Sequence, residues 1–143
     1  MHLDKFKTSF LVFGVMLLVG AGCSVTTANL QNVYMCPKME DSQCLSDQTE
    51  FAKDTPELFV TALLQNALEG TTVNYSWYYL GANGDEEPYE IDTVEWVRKD
   101  NDAQEVYGSL SIPEKGWPVG KYKVVLKVVA DNVEPITKEF LIK

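Results

Sequence analysis

The sequence predicts an all-β protein, an antiparallel β-sandwich of six to seven strands, on three observations. Segments rich in Val, Ile, Thr, Tyr and Trp recur after residue 54, each bounded by turn residues. The clearest of them, TVNYSWYYL at 72–80, alternates side chains with a period of two. No stretch of the exported chain carries the sustained 3.6-residue repeat of a long amphipathic helix.

The elements follow in order. A first strand is expected over 57–64, closed by a turn at Glu69-Gly70. The second, 72–80, sets Val73, Tyr75, Trp77 and Tyr79 on one face and Asn74, Ser76 and Tyr78 on the other. The loop GANGDEEP leads to a strand over 90–97, and KDNDAQ leads to one over 105–112. After PEKGWPVG comes 121–130, then a bend at Asp131-Asn132 and Pro135, then 136–142. Upstream, 23–53 is polar and broken; it reads as a tether with one short strand over 30–35. The predicted organisation is therefore a signal over 1–22, a tether with a disulfide loop over 23–53, and a sandwich over 54–143.

The first 22 residues have the grammar of an export signal. Lys5 and Lys7 give a positive start, 10–19 is almost wholly apolar, and Gly20, Ala21 and Gly22 are small enough for a peptidase groove. A spanning helix needs about 20 apolar residues, so the run is short for a permanent membrane anchor. Small residues followed directly by Cys23 resemble the lipobox of bacterial lipoproteins. Ala21, Gly22 and Cys23 match that pattern, whereas Gly20 stands where an aliphatic residue is usual. The resemblance implies a diacylglyceryl group on Cys23, cleavage before it, and attachment to a membrane. Ser24 in place of Asp implies the outer membrane where a cell has two. Ordinary cleavage after Ala28, giving a soluble periplasmic or secreted protein, is the alternative.

With Cys23 assigned to lipid, the three cysteines of the chain leave Cys36 and Cys44, an even pair in an oxidising compartment. A disulfide closing CPKMEDSQC is expected, with two free thiols as the alternative.

The closing run WPVGKYKVVLKV and EPITKEFLI resembles the last hairpin of immunoglobulin-like and fibronectin-type bacterial domains. The resemblance implies an Ig-like sandwich with Tyr122 as its corner tyrosine and Trp77 as its core tryptophan. Both remaining cysteines precede Trp77, so the cysteine, tryptophan, cysteine order of antibody domains is absent.

Composition narrows the chemistry. The net charge is −9, and because residues 1–22 contribute +1, the chain from Cys23 onward carries −10. A surface of that sign is repelled by nucleic acid and by anionic headgroups. The single histidine, His2, lies in the signal, so the exported part has no imidazole for a catalytic triad or a zinc site. No phosphate-binding loop is present: GANGDEE lacks the spacing and the lysine.

Carboxylates cluster at Asp85, Glu86, Glu87, Glu90 and Asp92, and again at Asp100, Asp102 and Glu105. A hydrolase would need two of them across a cleft. Calcium would need hard oxygen ligands such as Asp85, Asp100 and Asp102 with Asn83 or Asn101, but the EF-hand spacing is missing. Among the aromatics, Tyr78, Tyr89 and Trp117 are the candidates for a shared binding surface, with core packing and loop pinning as the alternative. The sequence thus leads to a membrane-anchored, non-enzymatic binding protein without a cofactor, its partner an envelope protein or a glycan. An accessory subunit of an envelope complex is the second reading.

Overall fold

The computed structural model describes residues 25–99 and 104–143. Cys23, Asp100, Asn101 and Asp102 lie outside the described residues. Eight strands fold into two facing sheets: β1 (Asn29–Cys36), β2 (Glu50–Phe51), β3 (Glu57–Gln65), β4 (Thr72–Tyr79), β5 (Tyr89–Val97), β6 (Glu105–Ser111), β7 (Gly120–Val128) and β8 (Ile136–Ile142). One sheet has the order β1-β3-β6, the other β2-β8-β7-β4-β5. Every pairing is antiparallel except that of β2 with β8.

Period-two patterning drives this arrangement. In β4 the residues Val73, Tyr75 and Trp77 are fully buried, and in β7 Tyr122, Val124, Leu126 and Val128 face the same core. Leu58, Val60, Ala62 and Leu64 of β3 meet them from the other sheet. The expected Ig-like features are present: Trp77 is buried at the centre, and the Tyr122 hydroxyl donates to the Pro118 carbonyl at 2.6 Å. Gly108 in β6 is there to admit Tyr75, since a Cβ would lie 2.7 Å from the Tyr75 ring. Gly120 opens β7 at φ 146°, where a Cβ would stand 2.5 Å from the Gly81 carbonyl oxygen.

The tether expected over 23–53 is corrected. Its greater part belongs to the sandwich, which begins with the buried Ala28 rather than near residue 54. β1 is a full strand paired with β3 from Asn29↔Gln65 to Cys36↔Phe59, with an irregularity between Gln31 and Tyr34 where Asn32 takes φ 51°. It is an edge strand, so Gln31 and Asn32 stay in solvent and its sequence looks polar. Beyond it the chain changes sheets. Met35 N–H donates to the Asp47 carboxylate at 2.9 Å, Gln48 N–H to the Met35 carbonyl at 2.8 Å, and Leu141 N–H to the Thr49 carbonyl at 2.8 Å. The two-residue β2 that follows is too short to carry a periodic signal.

The Cys36–Cys44 disulfide is formed, with the Cα atoms 5.6 Å apart. Its loop folds back over the outer face of the three-stranded sheet. Cys44 N–H donates to Thr61 Oγ1 at 3.1 Å, and Gln43 Nε2 reaches Glu105 Oε1 of β6 at 2.9 Å. Thr61 faces outward yet is buried, because this loop covers it.

Candidate functional site

Strand direction sorts the loops into two ends. The proximal end holds residue 25 and the turns after β3, β5 and β7; the distal end holds the turns after β4 and β6 and the last residues of β8, while the disulfide loop leaves it at Cys36 and runs back along the outer face of the three-stranded sheet. The candidate site lies at the distal end.

Its base is a row of three tyrosines. Tyr79 is the last residue of β4, and the register sets Tyr89 of β5 on one side and Tyr122 of β7 on the other. Directly paired residues project to the same face of a sheet, so the row extends the inner face past the region that the opposing sheet covers. Ile91, the extra residue where the β4–β5 register shifts, joins them. The β6–β7 loop forms the other wall. Trp117 is driven inward, with its Nε1–H donating to the Thr55 carbonyl at 2.7 Å and its backbone N–H to the Lys53 carbonyl at 3.2 Å. Its ring meets Tyr122 edge-on at 6.2 Å, and the Tyr79 and Tyr122 rings lie 4.8 Å apart.

The result is a cleft of about 210 Å³ lined by Tyr79, Tyr89, Ile91, Pro113, Trp117, Pro118 and Tyr122. Tyr89 is 70% exposed at its rim. The polar handles of the other aromatics are committed inward: Tyr79 donates to the Val119 carbonyl at 2.9 Å, Tyr122 to Pro118 and Trp117 to Thr55. Burial, and then the neighbouring Tyr79 phenol, push the Tyr122 pKa well above the usual tyrosine value. Apart from the Tyr89 phenol at its rim, the cleft therefore offers ring faces and proline edges, with the hydrogen-bonding groups of Tyr79, Trp117 and Tyr122 turned toward the protein.

Of the three aromatics considered for a shared surface, Tyr89 is exposed at the cleft's rim, whereas Trp117 is 4% exposed and pins its loop to the core, as the alternative reading had it, with only its edge bordering the cleft. Tyr78 is not at the cleft: neighbours on a strand alternate, and its ring lies on the opposite face under the Lys123 ammonium, 5.2 Å from the centroid. Tyr79 and Tyr122 line the cleft although their alternation marks them as core. Their place at the ends of β4 and β7, where the facing sheet stops, was the available signal.

No carboxylate is among the cleft's lining residues. Asp85, Glu86 and Glu87 are exposed in the β4–β5 loop. Glu90 accepts from Thr93 Oγ1 at 2.7 Å, and Asp92 caps Thr93 N–H at 2.9 Å. Among the described residues no three His, Cys, Asp or Glu side chains gather as a metal site. Asp85 belongs to no such group, while Asp100 and Asp102 are outside the described residues.

No family profile and no curated protein sequence matches the chain. Among solved structures, an immunoglobulin-like protein from Pseudomonas aeruginosa is similar to it at TM-score 0.50 and 16% identity, covering 81% of this chain and 91% of that one. A β-glucosidase from Listeria innocua, in complexes with laminaribiose and with isofagomine, is similar at TM-score 0.46 and 8% identity. This chain matches only 16% of the length of that enzyme. The sheet order, the tyrosine corner and the Pseudomonas aeruginosa likeness agree on one conclusion: the fold is an immunoglobulin-like β-sandwich.

Proposed function

We propose that this protein is a lipid-anchored envelope lipoprotein whose Ig-like domain works by binding, gripping an apolar side chain of a protein partner in the distal aromatic cleft. The observation that carries the reading is the commitment of the Tyr79, Tyr122 and Trp117 polar atoms to backbone carbonyls. Sugar recognition needs free donors and acceptors beside the stacking ring, whereas an apolar side chain needs only preformed ring faces. That favours a protein over a glycan. The exposed Asp85, Glu86 and Glu87 in the loop that leads into Tyr89 favour a basic segment flanking the inserted side chain.

The anchor reading gains support from the first described residues. Thr26 N–H donates to Asn132 Oδ1 at 3.2 Å, and Asn132 Nδ2 returns a bond to the Thr26 carbonyl at 2.6 Å. Ala28 is buried in the core. Cleavage after Ala28 would cut away residues built into the fold; cleavage before Cys23 keeps them.

The test uses a photo-crosslinking amino acid in intact cells. Placed at Tyr89 it should give one defined protein adduct, and placed at Tyr78, on the other face, none. Adducts of equal yield at both positions, or none at Tyr89, would refute the cleft. In the same cells Cys23→Ser should block processing, acyl labelling and membrane retention; unchanged retention would refute the anchor.

A further inference from the structure

We infer that the proximal end of the sandwich seats directly on the phospholipid headgroup surface through Val25, Leu68 and Val129, which turns the aromatic cleft away from the membrane. The inference rests on the lipid-anchor reading and adds an orientation to it.

The first argument is chain length. Three residues of chain lead from Cys23 to Thr26, and Thr26 is already tied to Asn132 of the β7–β8 turn. A fully extended chain covers at most about 3.6 Å per residue, so Thr26 stays within about 11 Å of the acylated cysteine. Each headgroup layer of a bilayer is about 5–7 Å thick. The domain is therefore held against that layer with no length of linker to lift it.

The second argument is the surface brought there. Leu68 at 80% and Val25 at 77% exposure are the two most exposed large apolar side chains among the described residues, and Val129 is 55% exposed. All three border one shallow hollow, whose only charged lining residue is Glu69. The other charged side chains of this end, Arg98, Lys99, Asp131 and Glu134, belong to the neighbouring turns and are not part of the hollow's lining, so a headgroup layer can take the apolar tips while those charges keep their water. Apolar tips on short turns suit shallow insertion there, where polar groups keep their water. The cleft lies at the other end of β4, seven residue steps from Thr72 to Tyr79, about 24 Å along the strand.

The experiment avoids dependence on natural lipidation. Protein 23–143, with Cys36 and Cys44 in their disulfide, is coupled through the Cys23 thiol to a maleimide phospholipid in phosphatidylcholine vesicles. Tryptophan introduced by Leu68→Trp should lose most of its added emission to brominated phosphatidylcholine, and tryptophan introduced by Tyr89→Trp should keep it. Because the new ring could itself draw the turn down, amide hydrogen exchange is measured on the parent sequence. Amides at 68–71 and 129–132 should exchange several-fold more slowly when coupled than when free. Equal quenching at both positions, or unchanged exchange at the proximal turns, overturns the orientation. Failure of Cys23 acylation in cells would instead overturn the anchor alone.

Discussion

The two ends of the sandwich are made from the same strands and finished in opposite ways. At the distal end aromatic rings close over one another, and the polar handles of Tyr79, Trp117 and Tyr122 each find a backbone carbonyl. At the proximal end Val25, Leu68 and Val129 are exposed around one shallow hollow, and the turns are held by backbone pairs such as Gly70 N–H to the Arg98 carbonyl at 2.8 Å. The difference separates two kinds of apolar surface. The distal cleft is preformed, because its walls are also core, so little ordering entropy is lost when a side chain enters it. The proximal tips are independent of the core and suit a soft, extended surface.

Substitutions can break that contrast, the largest effect first. Trp117→Ala removes a buried ring and orphans the Thr55 carbonyl, and should cost about 3–5 kcal/mol of stability in urea unfolding as well as the partner. A cost below about 1 kcal/mol would mean that the distal wall is a separate lid and not part of the core. Tyr122→Phe tests a single handle and should cost about 1 kcal/mol. It also bears on alkaline behaviour. Burial raises the folded pKa of Tyr122, and of Tyr75, above the unfolded value, so the neutral phenol's contribution is complete below the usual tyrosine range. That contribution is lost as pH climbs toward the folded value, and Tyr122→Phe should flatten part of the loss seen by alkaline unfolding. Leu68→Ala, at the proximal end, should shift stability by no more than about 0.5 kcal/mol. A larger shift would show that the proximal tips are braced by the core after all.

Legibility in the sequence followed pairing on both sides. β4 and β7 are flanked by neighbours and packed from above, so their alternation is strict and their bounds are readable within a residue or two. β5 is an edge strand in which Glu90, Asp92 and Glu95 are exposed, yet its Val and Trp content still marked it. β1 and β2 were harder. One is an edge strand with a bulge, expected as a short strand over 30–35 but set within a tether, and the other is only two residues long and paired parallel to β8, so the stretch around them resembled a linker. Of the site, Tyr89 and Trp117 were visible as aromatics beside turns, while Tyr79 was hidden in an alternation that elsewhere means core.

By itself the sequence determined the all-β class and the order of six to seven strands, because alternation and turn residues are local signals; the Cys36–Cys44 pairing was reached by setting Cys23 aside for lipid, and the inward place of Trp77 and Tyr122 through the resemblance to Ig-like domains. The tertiary structure alone decided that the polar N-terminal stretch is sandwich and not tether, and that Tyr79, Tyr89, Trp117 and Tyr122 share one cleft. Those outcomes depend on where one sheet stops covering the other, a distance in space that strand periodicity does not encode.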